Sequence, residues 1–167
     1  GAVNAQLLPT ALPVPCEHCG EPVAEGGASY CCAGCAAAAE WIRAAGLGDY
    51  YRLRSDAGNR IEANADFSAW DREQLQAGHV HVDGEVHEIQ LAVEGMRCAA
   101  CAWLIDRALA TEPGLVDARA NAVTGRLRLR WRPARTQLST LLSRLHALGY
   151  RAYLGGEAAL SRARLEQ

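Results

Sequence analysis

The 167-residue chain contains no lysine, one methionine and one phenylalanine, and it has no long apolar run. No stretch approaches the roughly 20 consecutive apolar residues that a membrane-spanning helix needs. Residues 1–15 also lack the positively charged segment and long apolar run of a secretory signal. Because they hold three of the six prolines and show no periodicity, we expect them to form a flexible leader.

The charged residues are not evenly distributed along the chain. The formal net charge is -2, but residues 1–87 carry 12 acidic residues and 5 arginines, whereas residues 88–154 carry 5 acidic residues and 10 arginines. The basic excess is modest and its arginines alternate along one predicted strand, so nucleic acid is not a predicted partner. Opposite charges on the two halves favour their docking or an oppositely charged partner, and a plain solvated surface is the alternative.

The seven cysteines form two groups with none between them. Two of them are Cys98 and Cys101, and five lie earlier, at Cys16, Cys19, Cys31, Cys32 and Cys35. Close CxxC pairs and an odd cysteine count are typical of a reducing compartment, in which thiols stay free to bind metal, rather than of a disulfide framework. We therefore predict two separate metal sites in a cytosolic protein.

Residues 16–53 are predicted to form a small cysteine-rich metal-binding module. Cys16-Glu17-His18-Cys19-Gly20 opens it, and an alanine-rich helix that Gly46 ends closes it. Its cysteines supply enough thiolates for the four-ligand tetrahedral site of structural zinc, and so short a segment needs a metal to supplement its small core. The predicted metal is Zn(II) or Cu(I), which would be a second Cu(I) if the other cysteine group also binds one. The alternative to a metal site is a set of reduced cysteines without a ligand. His18 is expected at the surface.

A polar linker is predicted over residues 54–78, packed through Phe67 and Trp70, and a second domain over residues 79–154. A turn at Asp83-Gly84 within alternating apolar residues predicts an N-terminal hairpin extension whose second strand reaches Val93. The later elements are a helix over 98–110, two strands joined at Thr124-Gly125, a helix that Thr136 caps and Gly149 ends, and a strand over 150–154. The order βαββαβ predicts an α+β ferredoxin-like sandwich, with two helices on one face of a four-stranded antiparallel sheet.

Residues 155–167 are expected to connect to a membrane region of a longer chain.

The CxxC pair of Cys98 and Cys101 follows the first strand of this unit. Two such thiolates converge on one metal when the second lies in the first turn of a helix, where backbone N–H groups stabilise their charge. Soft thiolates favour Cu(I), and only two protein ligands leave the ion open to an incoming thiol. A redox dithiol and half of a zinc site are the alternatives. His79, His81 and His87 are predicted on one face of the hairpin, in a structural role.

Gly95-Met96-Arg97-Cys98-Ala99-Ala100-Cys101, followed about fifty residues later by Gly149-Tyr150, resembles the heavy-metal-associated domain shared by copper chaperones and copper ATPases. The resemblance covers residues 86–154 and implies that Cys98 and Cys101 bind Cu(I). It also implies that Met96 supports the loop from the core and that Tyr150 lies near it, neither as a ligand. The run from Ala102 to Asp106 is similar to the WLIE run of copper ATPases that supply haem-copper oxidase assembly, with Asp106 in place of Glu.

The cysteine-rich module is similar to the metal-binding domain that precedes the copper domain in the same ATPases, with its pattern CxHCGxP and then an aromatic residue and CCxGC. It also looks like a treble-clef zinc knuckle, in which Cys31 pairs with Cys35. The CxxC spacing instead pairs Cys32 with Cys35. Four of the five cysteines are therefore predicted ligands, and the spare thiol is a candidate transient copper site.

These resemblances imply a Cu(I)-binding regulatory and metal-acceptor region of a copper-transporting P-type ATPase, on the cytoplasmic side of the bacterial inner membrane. The expected partners are a copper chaperone or other thiol donor and the transmembrane and ATP-binding domains of the parent, an ATP-driven Cu(I) translocase. The fragment itself is not expected to be an enzyme, because it lacks a phosphate-cradling glycine loop and an Asp-Lys-Thr-Gly motif. The alternatives are a free-standing copper chaperone or metal sensor and, less favoured, a thiol oxidoreductase.

Overall fold

Strand β2 organises the sheet in the computed structural model, which describes residues 14–24, 28–62 and 65–155. Within these residues the strands are β1 (His81–Asp83), β2 (Val86–Glu94), β3 (Leu115–Asn121), β4 (Arg126–Trp131) and β5 (Arg151–Tyr153). All pairings are antiparallel: β2 pairs with β1 and β5 along one edge and with β4 along the other, and β4 pairs with β3. Most of the predicted leader and all but the first residue of the predicted connector lie outside the described residues.

The helices of the described segments are α1 (Ala33–Ala44), α2 (Asp49–Leu53), α3 (Glu73–Gln76), α4 (Ala99–Leu109) and α5 (Leu138–Ala147), with a 3₁₀ turn at Ser68–Asp71. Since α4 lies between β2 and β3 and α5 between β4 and β5, the predicted α+β ferredoxin-like order is confirmed. None of these helices is long and apolar enough to cross a membrane.

One core lies between the sheet and its two long helices. Side chains that alternate along the strands enter it, and those of β4 are Leu127, Leu129 and Trp131. Both helices contribute apolar stripes at the 3.6-residue period, such as Leu104 and Ala108 of α4. The same cluster includes Ile42, Leu47 and Tyr50 from the cysteine-rich part of the chain. The two parts of the molecule therefore share buried apolar contacts.

The segment predicted as a linker packs along helix α5. The Phe67 ring lies 5.4 Å from the His146 ring, and Trp70 packs against the core. Nearby, Arg144 of α5 lies over the Trp41 ring of α1, 4.3 Å from its centroid. These contacts join the cysteine-rich part to the second helix of the sandwich.

The predicted N-cap of α5 is wrong. Gln137 occupies the cap position without a side-chain cap bond, because the turn after β4 continues through Thr136, whose amide donates to the Arg132 carbonyl. The acceptor for a free amide of the first turn comes instead from the segment predicted as a linker: Asp71 Oδ1 accepts from the Ser139 amide at 2.9 Å. An anion at this end of a helix also complements the helix dipole.

The substitution Asp71→Ala should lower the free energy of unfolding by about 1 kcal/mol, the usual cost of losing a helix N-terminal acceptor. The measurement is urea denaturation followed by circular dichroism. Glu40→Ala, on the exposed face of α1, serves as the control and should stay within about 0.5 kcal/mol of the wild type. Equal effects of the two substitutions would refute this role of Asp71.

Candidate metal centres

The loop between β2 and α4 brings Cys98 and Cys101 together. Gly95 follows β2 with a φ of +96°, a conformation that suits glycine, and Met96 turns into the core with 7% of its surface exposed. Cys98 is the N-cap residue of α4 and Cys101 lies in its first turn, so their Sγ atoms are 3.9 Å apart. Metal–sulfur bonds of about 2.3 Å allow two sulfurs to be up to about 4.6 Å apart on one ion.

Residues 95–101, which we call the copper loop after the metal that the sequence predicts, carry two thiols that differ in exposure. Cys101 is buried, with 5% of its surface exposed, whereas Cys98 is partly exposed. Burial raises the pKa of Cys98, but hydrogen bonds from the Ser55 amide and hydroxyl and from the Cys101 and Ala100 amides outweigh it and lower the pKa to about 7. Cys98 is therefore an accessible thiol that is about half ionised at neutral pH.

Two buried tyrosines lie behind Cys101. The Tyr150 side chain lies close to those of Cys101 and of Tyr50 of α2, and burial raises its pKa well above the ordinary value. The pKa of Tyr50 is raised in the same direction, chiefly by burial. Both hydroxyls stay protonated at neutral pH and can donate to a Cys101 thiolate or to each other. The structure thus places Tyr150 beside the loop and adds Tyr50, which the sequence analysis did not identify.

Residues 54–62 lie against the other side of the copper loop. The Asn59 side-chain amide donates to the Gly95 carbonyl at 3.0 Å, and the Asn59 carbonyl lies 2.9 Å from where a Cβ on Gly149 would stand. Gly149 has a φ of +99°, so its lack of a side chain serves both the end of α5 and this close approach. Next to them, Arg151 pairs with Glu62 at 2.9 Å, an ion pair between the acidic and basic halves.

The second centre is a cluster of four sulfurs. The Sγ atoms of Cys16, Cys19, Cys31 and Cys35 all lie within 4.8 Å of one another, and two of the separations are 3.5 Å (Cys19 to Cys31) and 3.8 Å (Cys31 to Cys35). Tetrahedral zinc with bonds of about 2.3 Å holds its sulfurs about 3.8 Å apart, so these four thiols fit one ion.

Burial raises the pKa values of thiols in this cluster, and a bound cation would lower them again. Burial raises the pKa of Cys31 to about 12 and raises that of Cys35 strongly. Burial also raises the pKa of Cys16, but backbone N–H groups of Cys19, Cys31 and His18 outweigh it and lower the pKa to about 6. Because buried thiolates need a compensating positive charge, a metal ion is the natural partner of the set.

Cys32 lies outside the four-sulfur cluster. It is the N-cap residue of α1, and its Sγ accepts a hydrogen bond from the Cys35 amide at 3.4 Å. Burial raises its pKa, but the Cys35 backbone and side chain outweigh this effect, so the net shift is downward. Helix α1 begins at Ala33, before the alanine-rich segment that predicts it. Cys32 therefore caps the helix, and Cys31 is directed at the other cysteines.

His18 is not at the surface, contrary to the prediction. The residue is fully buried, and its Nδ1 lies 2.8 Å from the Tyr51 hydroxyl. Burial and then the positive charge of Arg54 lower its pKa to about 4, so it is neutral at physiological pH. The sequence signal that could have predicted the burial of His18 is the run Asp49 to Arg54, because its aromatic and arginine side chains can cover a buried polar group.

The predicted shared face of the hairpin histidines is also wrong. His81 pairs with Glu88, whereas His87 pairs with Val82 and packs edge-on against the Trp131 ring at 5.7 Å. The side chains of neighbouring strand positions alternate, so His81 and His87 lie on opposite faces of the sheet.

Comparison with known families matches both parts of the chain. Residues 15–84 match the family described as "Putative metal-binding domain of cation transport ATPase", and residues 90–151 match the heavy-metal-associated domain. The chain therefore matches one domain model of each kind in succession, and the second match falls on the ferredoxin-like unit.

The relatives are P-type ATPases and a nitrogen-fixation protein. The nitrogen fixation protein FixI of Bradyrhizobium diazoefficiens is 38% identical over 45% of this chain and 10% of its own length, and the copper-exporting P-type ATPase of Staphylococcus haemolyticus is 37% identical over 42% and 9%. The solved water-soluble region of the P-type ATPase CopA from Bacillus subtilis is 35% identical, with a TM-score of 0.40, over 42% of this chain and 47% of that one. The match thus spans about a tenth of each curated relative.

Alkylation of Cys98 should titrate near pH 7. The rate of reaction with iodoacetamide, followed by peptide mapping in zinc-loaded protein, should rise through pH 7 and level off below pH 9, the usual thiol value. Ser55→Ala removes one donor to the thiolate and should move the midpoint upward. A wild-type midpoint near 9 would contradict the assignment. Because the folded pKa is lowered, the thiolate adds stability that is fully present above pH 9 and is lost as pH falls through about 7.

Single substitutions should distinguish Cys31 from Cys32 as a ligand. Cys31→Ser should abolish stoichiometric binding of one Zn(II) per chain, measured by elemental analysis after gel filtration, because it removes one of four sulfurs. Cys32→Ser is the matched control and should keep the ion. The reverse result would transfer the ligand role to Cys32.

Proposed function

We propose that this chain, which joins a metal-binding domain of cation transport ATPases to a heavy-metal-associated domain, is the Cu(I)-accepting and regulatory region of a copper-transporting P-type ATPase. The observation that carries the proposal is the pair of sulfurs 3.9 Å apart at the start of α4, one partly exposed and one buried. Two soft ligands bind Cu(I) while leaving it open to a third thiol. That is the coordination a transfer site needs.

Ligand exchange proceeds in a fixed order. Cys98 is partly exposed and its pKa is about 7, so its thiolate is the first to attack Cu(I) held by two thiolates of the donor, and one donor Cu–S bond breaks as the Cys98 bond forms. Cys101 then forms the second Cu–S bond as the other donor bond breaks, and its proton passes to the leaving thiolate or to water. Copper stays Cu(I) throughout, and each bond formed replaces one that is broken. Release to the next acceptor follows the same steps in reverse.

The four-sulfur cluster fits a structural role. We assign its ligands as Cys16, Cys19, Cys31 and Cys35, and its metal as Zn(II), since four thiolates fill a tetrahedral site and leave no open position. Two of the four sulfurs belong to buried residues. A second Cu(I) is the less favoured occupant, because a closed four-sulfur site does not suit exchange. Met96 and Tyr150 support the copper loop without binding the ion.

The partners follow from this assignment. A cytosolic copper chaperone or other thiol donor delivers the ion, and the transmembrane and ATP-binding domains of the parent translocase receive it on the cytoplasmic side of the bacterial inner membrane. Support for a role in haem-copper oxidase assembly comes from the run Ala102 to Asp106. The relatives include both copper-exporting ATPases and FixI, so the destination is a finer proposal than the metal.

A thiol oxidoreductase is the second candidate, because a pair of nearby thiols with a pKa of about 7 at one of them also suits disulfide chemistry. The metal reading is favoured because both family models that match the chain describe metal-associated domains. Disulfide turnover by the zinc-loaded chain, without Cu(I) binding, would reverse this preference.

Cys98→Ser and Cys101→Ser should each weaken Cu(I) binding by more than the roughly 10- to 100-fold that loss of an outer-shell partner costs, because each removes half of the ligand set. Competition against a chromogenic Cu(I) chelator in zinc-loaded protein measures this. Cys32→Ser should keep the wild-type affinity. If the Cys98/Cys101 double variant bound Cu(I) as tightly as the wild type, the proposed function would be wrong.

A further inference from the structure

One segment of the chain touches both metal centres. Residues 54–62, which we call the strap, begin at Arg54, whose guanidinium donates to the carbonyls of His18 and Glu17 at 2.6 and 2.7 Å. The amide of Gly58 also donates to the His18 carbonyl, at 2.8 Å. These carbonyls belong to the turn that carries Cys16 and Cys19. The first part of the strap is therefore bonded to the four-sulfur cluster.

The second part of the strap holds the copper loop. Asn59 donates its side-chain amide to the Gly95 carbonyl. A Cβ atom at position 95 would collide with the Asn59 side-chain amide, so this approach depends on glycine. Two residues later, Ile61 packs with Cys16 and Cys35. The Ile61 side chain also reaches the position that a Cβ on Gly149 would take. Asn59 and Ile61, two residues apart in the strap, thus contact the copper loop and the four-sulfur cluster respectively.

We propose that the strap couples the two metal centres, with Asn59 as a positioning residue for the copper loop that is held in place by the metal-loaded cluster. The inference rests on the proposed function and deepens it. An ion in the cluster fixes the Cys16–Cys19 turn and with it the carbonyls that anchor Arg54 and Gly58. Asn59 then keeps Gly95, and with it the loop that leads to Cys98, in the arrangement that binds Cu(I). Without the ion these anchors loosen and the loop loses its support.

Such a coupling has a sign and a size. A loop that is already in its binding arrangement binds its ion more tightly, because less of the binding energy is used to order it. Typical couplings between sites change affinity by roughly 5- to 150-fold, and the effect is reciprocal. We therefore expect Zn(II) in the cluster to strengthen Cu(I) binding at Cys98 and Cys101, and Cu(I) to slow the loss of Zn(II) to a chelator.

Hydrogen exchange tests the coupling without copper. In zinc-loaded wild-type protein, amides of residues 95–101 should be protected, and removal of zinc by a chelator should speed their exchange. Asn59→Asp keeps the shape of the side chain but has no donor for the Gly95 carbonyl, so it should speed exchange even with zinc bound. Thr111→Ala, which removes a side-chain hydrogen bond to Ala108 near the other end of α4, is the control and should leave the loop protected. Unchanged exchange on zinc removal and in Asn59→Asp would overturn the inference.

Copper affinity separates this inference from the proposed function. Zinc-loaded Asn59→Asp retains all seven cysteines, and its Cu(I) affinity should fall by roughly 5- to 150-fold, whereas that of Thr111→Ala should not change. Equal affinities in wild type and Asn59→Asp would refute the coupling but leave the copper site intact. Absence of Cu(I) binding at Cys98 and Cys101 in the wild type would refute the proposed function, and the exchange experiment would still decide whether the strap links the two parts.

Discussion

Donation from backbone N–H groups to cysteine sulfur is the interaction on which both metal centres depend. Cys98 accepts from its own helix turn and from Ser55, and Cys16 accepts from three backbone groups. These dipoles are fixed by the fold, so they stabilise a thiolate at a defined position. The same interaction then produces two kinds of site, according to how many sulfurs meet and how exposed they are. Two sulfurs with one exposed thiol suit the transfer role proposed above, and four sulfurs with two of them buried suit the proposed structural ion.

The contact between the two parts gives the copper loop surroundings that its own domain does not supply. Tyr50 reaches from α2 to Tyr150 and Cys101, and Ser55 and Asn59 reach from the strap to Cys98 and Gly95. Ile42, Leu47 and Tyr50 belong to the core of the ferredoxin-like unit. Burial of these apolar side chains holds the cysteine-rich part in position. The donors that act on the copper loop are consequently as fixed as the core itself.

Most of the fold could be predicted from the sequence because its signals are local. The alternation of Leu127, Leu129 and Trp131 with arginines and the leucine spacing of α5 each determine a strand or helix by themselves. The CxxC motif could be placed at the start of a helix for the same reason. The positions of Met96 and Tyr150 came from the family resemblance, and the structure places them in the core and beside Cys101.

What could not be predicted depends on contacts between distant positions. The acceptor at the start of α5 is Asp71, 68 residues before its partner, and no local pattern distinguishes it from the nearer Thr136. His18 was misplaced because its burial depends on Tyr51, 33 residues away. The strap is polar and aperiodic, which is typical of a linker, and its contacts with both centres exist only in the folded chain. Spacing favours Cys32 and the treble-clef resemblance favours Cys31, and the start of α1 separates the two residues.

The central claim is that Cys98 and Cys101 together bind one Cu(I). Copper X-ray absorption of the zinc-loaded chain with one equivalent of Cu(I) tests it most directly. The account predicts two sulfur neighbours on copper, and an unchanged zinc spectrum with four sulfurs. Nitrogen or oxygen neighbours on copper, or copper that displaces zinc from the four-sulfur cluster while Cys98 and Cys101 remain free, would contradict it.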